Sequence, residues 1–155
     1  MGFSGYGLAV GLAVLAPSLL LIRLPPCPPL PAVHVPVALT WLERAGQAAC
    51  LVVPAITAPG TVAAGWLIPL AIALAAYYAL WVRYLLTGRP LTALYGSLWT
   101  VPVPMAILPV IVFFSAAGWL GNPWIAASSA ALAAGHIPAA LIVARAVAPG
   151  RGETV

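Results

Sequence analysis

A chain of 155 residues that is 64% hydrophobic and 5% charged, with a mean hydropathy of +1.11, cannot clothe a soluble domain, because a soluble fold needs a polar exterior. Its net charge of +4 comes from six arginines against two glutamates. The arginines stand singly, with no basic run and no Arg/aromatic patch, which excludes a nucleic-acid-binding reading. The composition predicts an all-α polytopic membrane bundle, one transmembrane domain over residues 1–155, in contact with membrane lipids.

In chain order, the first apolar segment runs from about residue 3 to 24 and carries Gly7 and Gly11 at GxxxG spacing. It lacks a basic n-region, and its arginine follows the apolar run, so it reads as a retained span and not as a signal peptide. Tyr6 stands where a myristoylation signal needs Ser or Thr. Residues 25–36, "PPCPPLPAVHVP", hold six prolines and predict a stiff non-helical strap, with a ligand for a proline-reading domain as the alternative. Further spans are expected at about 37–58, 61–86, 91–119 and 123–147. Small-residue stripes on the third (Ala71, Ala75, Ala79) and the fifth (Ala126, Ala130, Ala134) predict helix contacts, within the bundle or across a homo-oligomer.

Arg23 and Arg44 flank the first loop, Arg83 and Arg89 the third, and Arg145 and Arg151 mark the C-terminus. The other two joints carry no charged side chain. The positive-inside rule then puts the C-terminus in the cytoplasm and the N-terminus outside, in a cell inner membrane.

The fourth span is unusual. "WTVPVPMAILP" contains Pro102, Pro104 and Pro109, which remove three backbone donors and bias the residues before them away from helix. A break near Val101–Pro104 is expected, either lining a cavity or kinking the fold.

Counting ~20 residues back from Ala58 buries Glu43 ~6 Å inside the hydrocarbon boundary. Arg44 points ~100° away and can reach the interface along its stem. Glu43 shares its face with Gln47 and Cys50. A carboxylate so placed must be paired, hydrogen-bonded or protonated. Arg83 is one expected partner, in a structural ion pair. A functional layer of Glu43, Gln47, Arg83, Tyr84, Tyr95, Trp99, Pro102, Pro104 and His136 is the other expectation, with Glu43 and His136 as the acid–base groups. The aromatic residues could equally form an interfacial belt.

Cys27 and Cys50 show no metal-ligand spacing, and one His with one Glu is too few for a metal site, so no metal or cofactor is expected. There is no HExxH, GxSxG or phosphate-binding loop.

The segments "LERAGQAACLVVP", "YYALWVRYLLTGRP", "LYGSLWTVPVPMAILPVIVFF" and "GHIPAAL" together resemble a loose group of small, uncharacterised prokaryotic five-span membrane proteins. That resemblance implies a membrane bundle and no particular activity. The Ala, Gly, Pro and Arg bias points to a GC-rich bacterial genome. Size, five helices and six tryptophans are similar to the TspO/translocator proteins, a fold-level analogy. Here "LYGSLWT" reverses that family's order of Trp-Thr before Leu-Tyr.

Three functions fit these features. The first is a bundle that binds or passes an apolar or anionic small molecule at a cytoplasmic-leaflet site. The second is a membrane enzyme, in the manner of integral membrane terpene cyclases or isomerases, with Glu43 as general acid on a lipid or prenyl substrate. The third is an accessory subunit of a membrane complex.

Overall fold

The computed structural model describes residues 2–148, which are helical with no strand. Helix α1 (Gly5–Ser18) opens on Ser4, whose hydroxyl accepts from Gly7 N at 3.1 Å, and continues past Leu19 as α2 (Leu20–Arg23). Pro17 has no N–H to give the carbonyl of Ala13. The hydroxyl of Tyr78, from another helix, donates to that carbonyl at 2.9 Å instead. The proline-rich strap that follows holds no helix, as its composition requires.

Helix α3 spans Val37–Ile56, and a 3-10 turn at Ala64–Trp66 leads into α4 (Leu67–Leu86). The fourth column is divided into α5 (Leu91–Tyr95) and α6 (Pro104–Trp119), and α7 (Pro123–Val147) closes the bundle. Segments Gly5–Arg23, Ala64–Leu86 and Pro123–Val147 are long and apolar enough to cross a membrane. Helix α3 has the length, at 20 residues, but Glu43, Arg44 and Gln47 interrupt its apolar run. The break before Pro104 leaves α6 with 16 residues.

Glycines bring the helices together. Gly7 lies directly on the backbone of Pro54, and Gly11 faces Cys50 and Leu51, so α1 and α3 run antiparallel. Gly46 faces Leu132, where an added Cβ would stand 2.6 Å from backbone, and Gly135 lies against the backbone of Glu43, so α3 and α7 are antiparallel too. The alanine stripes make no such contacts within the bundle, one of the two expectations for them. Ala71, Ala75, Ala79, Ala130 and Ala134 are exposed and Ala126 is half-buried. A methyl group holds two backbones further apart than a hydrogen does, and here the closest crossings use glycine.

The two ends of the bundle differ. At one, Gly60 N donates to Leu120 O (2.8 Å), Ala63 N to Trp119 O (2.9 Å) and Gly2 N to Ile56 O (3.1 Å). Asn122 adds to this end, its Nδ2 donating to Thr57 Oγ1 at 2.7 Å and its Oδ1 accepting from Trp124 N at 3.0 Å. No described residue there is charged. At the other end, the Arg89 guanidinium donates to Pro25 O at 3.2 Å, Cys27 N donates to Arg89 O at 2.9 Å, and Tyr84 OH donates to Leu24 O at 2.9 Å. The antiparallel pairing of α3 with α1 and α7 brings Arg23 and Arg145 to this end as well, with Arg44 about two turns into α3. Arg151 and Glu153 lie outside the described residues. The outer surface is apolar, with Ile22, Ile68, Ile72 and Leu86 exposed, while Ser4, Ser115, Asn122, Ser128 and Ser129 are buried.

Candidate functional site

The polar residues of α3 and α7 meet because two glycines let the helices touch. Gly46 stands one turn after Glu43, and Gly135 immediately precedes His136. With both backbones in contact, His136 Nδ1 lies 2.6 Å from Glu43 Oε1, and the two side chains are 25% and 23% exposed. Gln47 Nε2 donates to the same Oε1 at 3.5 Å. A contact this short between a ring nitrogen and a carboxyl oxygen is charge-assisted and contains a proton. With Nδ1–H donating to the carboxylate, the other ring nitrogen, Nε2, is an acceptor; with the ring doubly protonated it is a donor. Nε2 has no hydrogen-bond partner among the described residues.

His136 and Gln47 line an interior cavity of about 230 Å³. It opens where α1 and α3 separate beyond their close contact at Gly7 and Gly11. Helix α1 contributes Val14, Leu15 and Ser18, and α3 contributes Gln47, Cys50 and Leu51. Pro109 and Phe113 of α6 form its floor, and Tyr77 of α4 and Leu132 of α7 its flanks. Tyr77 OH and Ser18 Oγ lie 3.1 Å apart, hydrogen-bonded. The lining is otherwise apolar.

Several expected site residues lie elsewhere. Arg83 is exposed on α4, and the partner of Glu43 is His136, so the expected Glu43–Arg83 pair is replaced. A guanidinium on the outer face of α4 cannot reach α3, whose interior face is already covered by α7. Tyr84 is fully buried, but its hydroxyl holds the strap at Leu24. Trp99 is 96% exposed, at the tip of a turn in which Leu98 and Val101 exchange backbone hydrogen bonds, so it belongs to no cage. Glu43 itself does not line the cavity; it stands behind His136.

The fourth column does break, over residues 96–103, wider than the prolines alone predict. Trp99 (φ 54°) and Val103 (φ 39°) both adopt the left-handed region, which costs a β-branched residue such as Val103 steric strain. Pro104 then occupies the first turn of α6, where its missing N–H is harmless. The break forms a separate cleft of about 300 Å³ lined by Tyr95, Pro102, Val103, Leu141 and Arg145 among others. The residues expected in a single layer thus border two separate recesses, a cavity beside His136 and a cleft beside Tyr95.

Ser18 and Tyr77 were not expected at the cavity. Each is a polar group on an apolar helix, which is a signal, but 59 residues separate them and neither names its partner. Among the described residues no three His, Cys, Asp or Glu side chains gather as metal ligands.

Comparison with family models, curated proteins and solved structures finds no match to this chain.

Proposed function

We propose that this chain is a multi-pass membrane protein with five crossing helices, its arginine-bearing end cytoplasmic and its N-terminus outside, and that it binds a small, largely apolar molecule in the interior cavity. One observation carries the reading. A cavity of about 230 Å³ is apolar except for a few convergent polar groups, and one of these, His136, is fixed by Glu43 at 2.6 Å. The apolar outer surface and the single charged end support the membrane setting. Under this orientation the cavity lies near the middle of the bilayer, at the level of Gln47, Tyr77 and His136 halfway along their helices.

The test uses purified protein in detergent with 4-propylphenol as probe. The phenol raises the thermal midpoint of the wild type. Val14→Phe, which fills the cavity, abolishes that shift while the variant still unfolds cooperatively. An absent shift in the wild type, or an equal one in the filled variant, refutes the reading.

A second reading, a membrane enzyme, is favoured by the same pair seen chemically. An imidazole held through Nδ1 by a carboxylate, with Nε2 unengaged beside a cavity, is the arrangement of a general base. In that reading His136 exchanges the proton and Glu43 orients it. Substrate turnover that survives His136→Gln sinks it.

A further inference from the structure

The cavity has polar groups on two different walls. Helix α4 packs on α1 and α6 but not closely on α3 or α7, α7 packs on α3, α5 and α6, and α1 joins the two groups through its contacts with α3 and α4. The Ser18–Tyr77 hydroxyl pair therefore sits where α1 meets α4, on the α1/α4 wall, and His136 with Gln47 on the α3/α7 wall. Between them lie the apolar side chains of Val14, Leu51, Phe113 and Leu132, and the ring of Pro109.

Volume limits the occupant. An apolar cavity of about 150 Å³ holds benzene. The present cavity, about half as large again at about 230 Å³, encloses one ring with a few substituents, and its open side leaves room for anything larger only outside the bundle. Its two poles demand hydrogen-bonding atoms at opposite ends of that ring. On the α3/α7 wall, Nδ1 is committed to Glu43, which leaves Nε2 to meet a hydroxyl, as acceptor when Nδ1 carries the only ring proton and as donor otherwise. On the α1/α4 wall, two hydroxyls can each donate or accept.

We infer that the cavity recognises a single aromatic ring bearing two opposed oxygens, a quinol-type head group, with one hydroxyl on His136 and the other on Ser18 and Tyr77. The inference rests on the cavity being the binding site proposed above. Access is from the side, along the α1/α3 seam, where Leu15 and Leu51 are half-buried and Gln47 is exposed. A substituent on the ring would leave through this seam into the acyl chains, so the class is lipid-soluble.

Three probes of equal tail length test it by calorimetric titration in detergent, with protein-free micelles as blank and oxygen excluded. They are propylbenzene, 3-propylphenol and 2-propylhydroquinone, which differ by one hydroxyl at each step with the tail held to one side of the ring. Each added hydroxyl should tighten binding about tenfold, the worth of one net hydrogen bond to a partly charged site. Tyr77→Phe and, independently, Ser18→Ala should bring the hydroquinone down to the affinity of the phenol and leave the phenol within about twofold. His136→Leu should bring the phenol down to propylbenzene. Equal binding of all three probes overturns the quinol assignment and leaves an apolar binding cavity standing. Binding of none overturns both. A hydroquinone affinity unmoved by both Tyr77→Phe and Ser18→Ala overturns the two-pole geometry alone, and with it the inference.

Discussion

His136 Nδ1 and Glu43 Oε1 meet at 2.6 Å although 93 residues separate them in the chain. The meeting depends on Gly46 and Gly135, which let α3 and α7 touch at this level. A pair so held is coupled energetically. Glu43→Gln and His136→Leu should each cost about 1–3 kcal/mol, nearer the lower figure because both side chains are about a quarter exposed. The double variant should cost clearly less than the sum. Denaturation of the three variants in one detergent measures this, and additive losses would show that the pair contributes nothing.

The two glycines make a separate prediction. Alanine normally favours a helix over glycine by about 1 kcal/mol. At Gly46 the new Cβ would lie 2.6 Å from the backbone of Leu132, and at Gly135 it would meet the backbone of Glu43. Gly46→Ala and Gly135→Ala should therefore destabilise by about 1–3 kcal/mol, reversing the helical preference. Gly65, which has nothing within 4 Å of an added Cβ, should accept alanine without loss. Thermal midpoints of the three variants decide the point.

Asn122 is a third site of expected sensitivity. It is buried, it caps α7 through Trp124 N at 3.0 Å, and it donates to Thr57 at 2.7 Å. Asn122→Ala should cost about 1–2 kcal/mol for the cap, and somewhat more for the lost bond to Thr57, whose hydroxyl keeps its own bond to Val53 O at 2.6 Å. Replacing Trp99, which is 96% exposed, by Ala should change neither stability nor probe binding. A binding loss at Trp99 would restore it to the site.

The orientation is open to thiol labelling. Cys27 is exposed at the arginine-bearing end and Cys50 is buried. A membrane-impermeant maleimide should reach Cys27 from the cytoplasmic side alone. In a Cys27→Ser background, Pro59→Cys should react from the opposite side. Exchange of the two results would invert the proposed topology.

The helical columns were legible in the sequence because lipid-length apolar runs and Gly/Pro joints are local signals. Expected boundaries such as 37 for α3 and 123 for α7 coincide with observed helix starts. Glu43, Gln47 and His136 were legible as well, since an ionisable side chain on an apolar helix has few reasons to be there. Their pairing was not. Arg83 was the obvious electrostatic partner, and what excludes it is which face of α4 turns outward, a tertiary fact. The alanine stripes did not identify the contacts within the bundle for a related reason. In a chain rich in alanine their spacing recurs by chance, whereas glycine at Gly46 and Gly135 reports an actual close approach. Ser18 and Tyr77 could be noticed singly, but their joining across 59 residues depends on how α1 and α4 pack.

The ties along α1 are one-sided. Main-chain bonds from Gly60, Ala63 and Gly2 fasten the charge-free end, and Gly7 bears directly on Pro54 beside it. Further along, Tyr78 holds the carbonyl of Ala13 and Tyr77 holds Ser18, so α1 is bound to α4. Towards α3 the same stretch of α1 presents Val14 and Leu15 to Leu51 across the cavity, apolar side chains that make no hydrogen bond. The side of the cavity that parts at least cost is the one facing α3, because opening it breaks no polar contact.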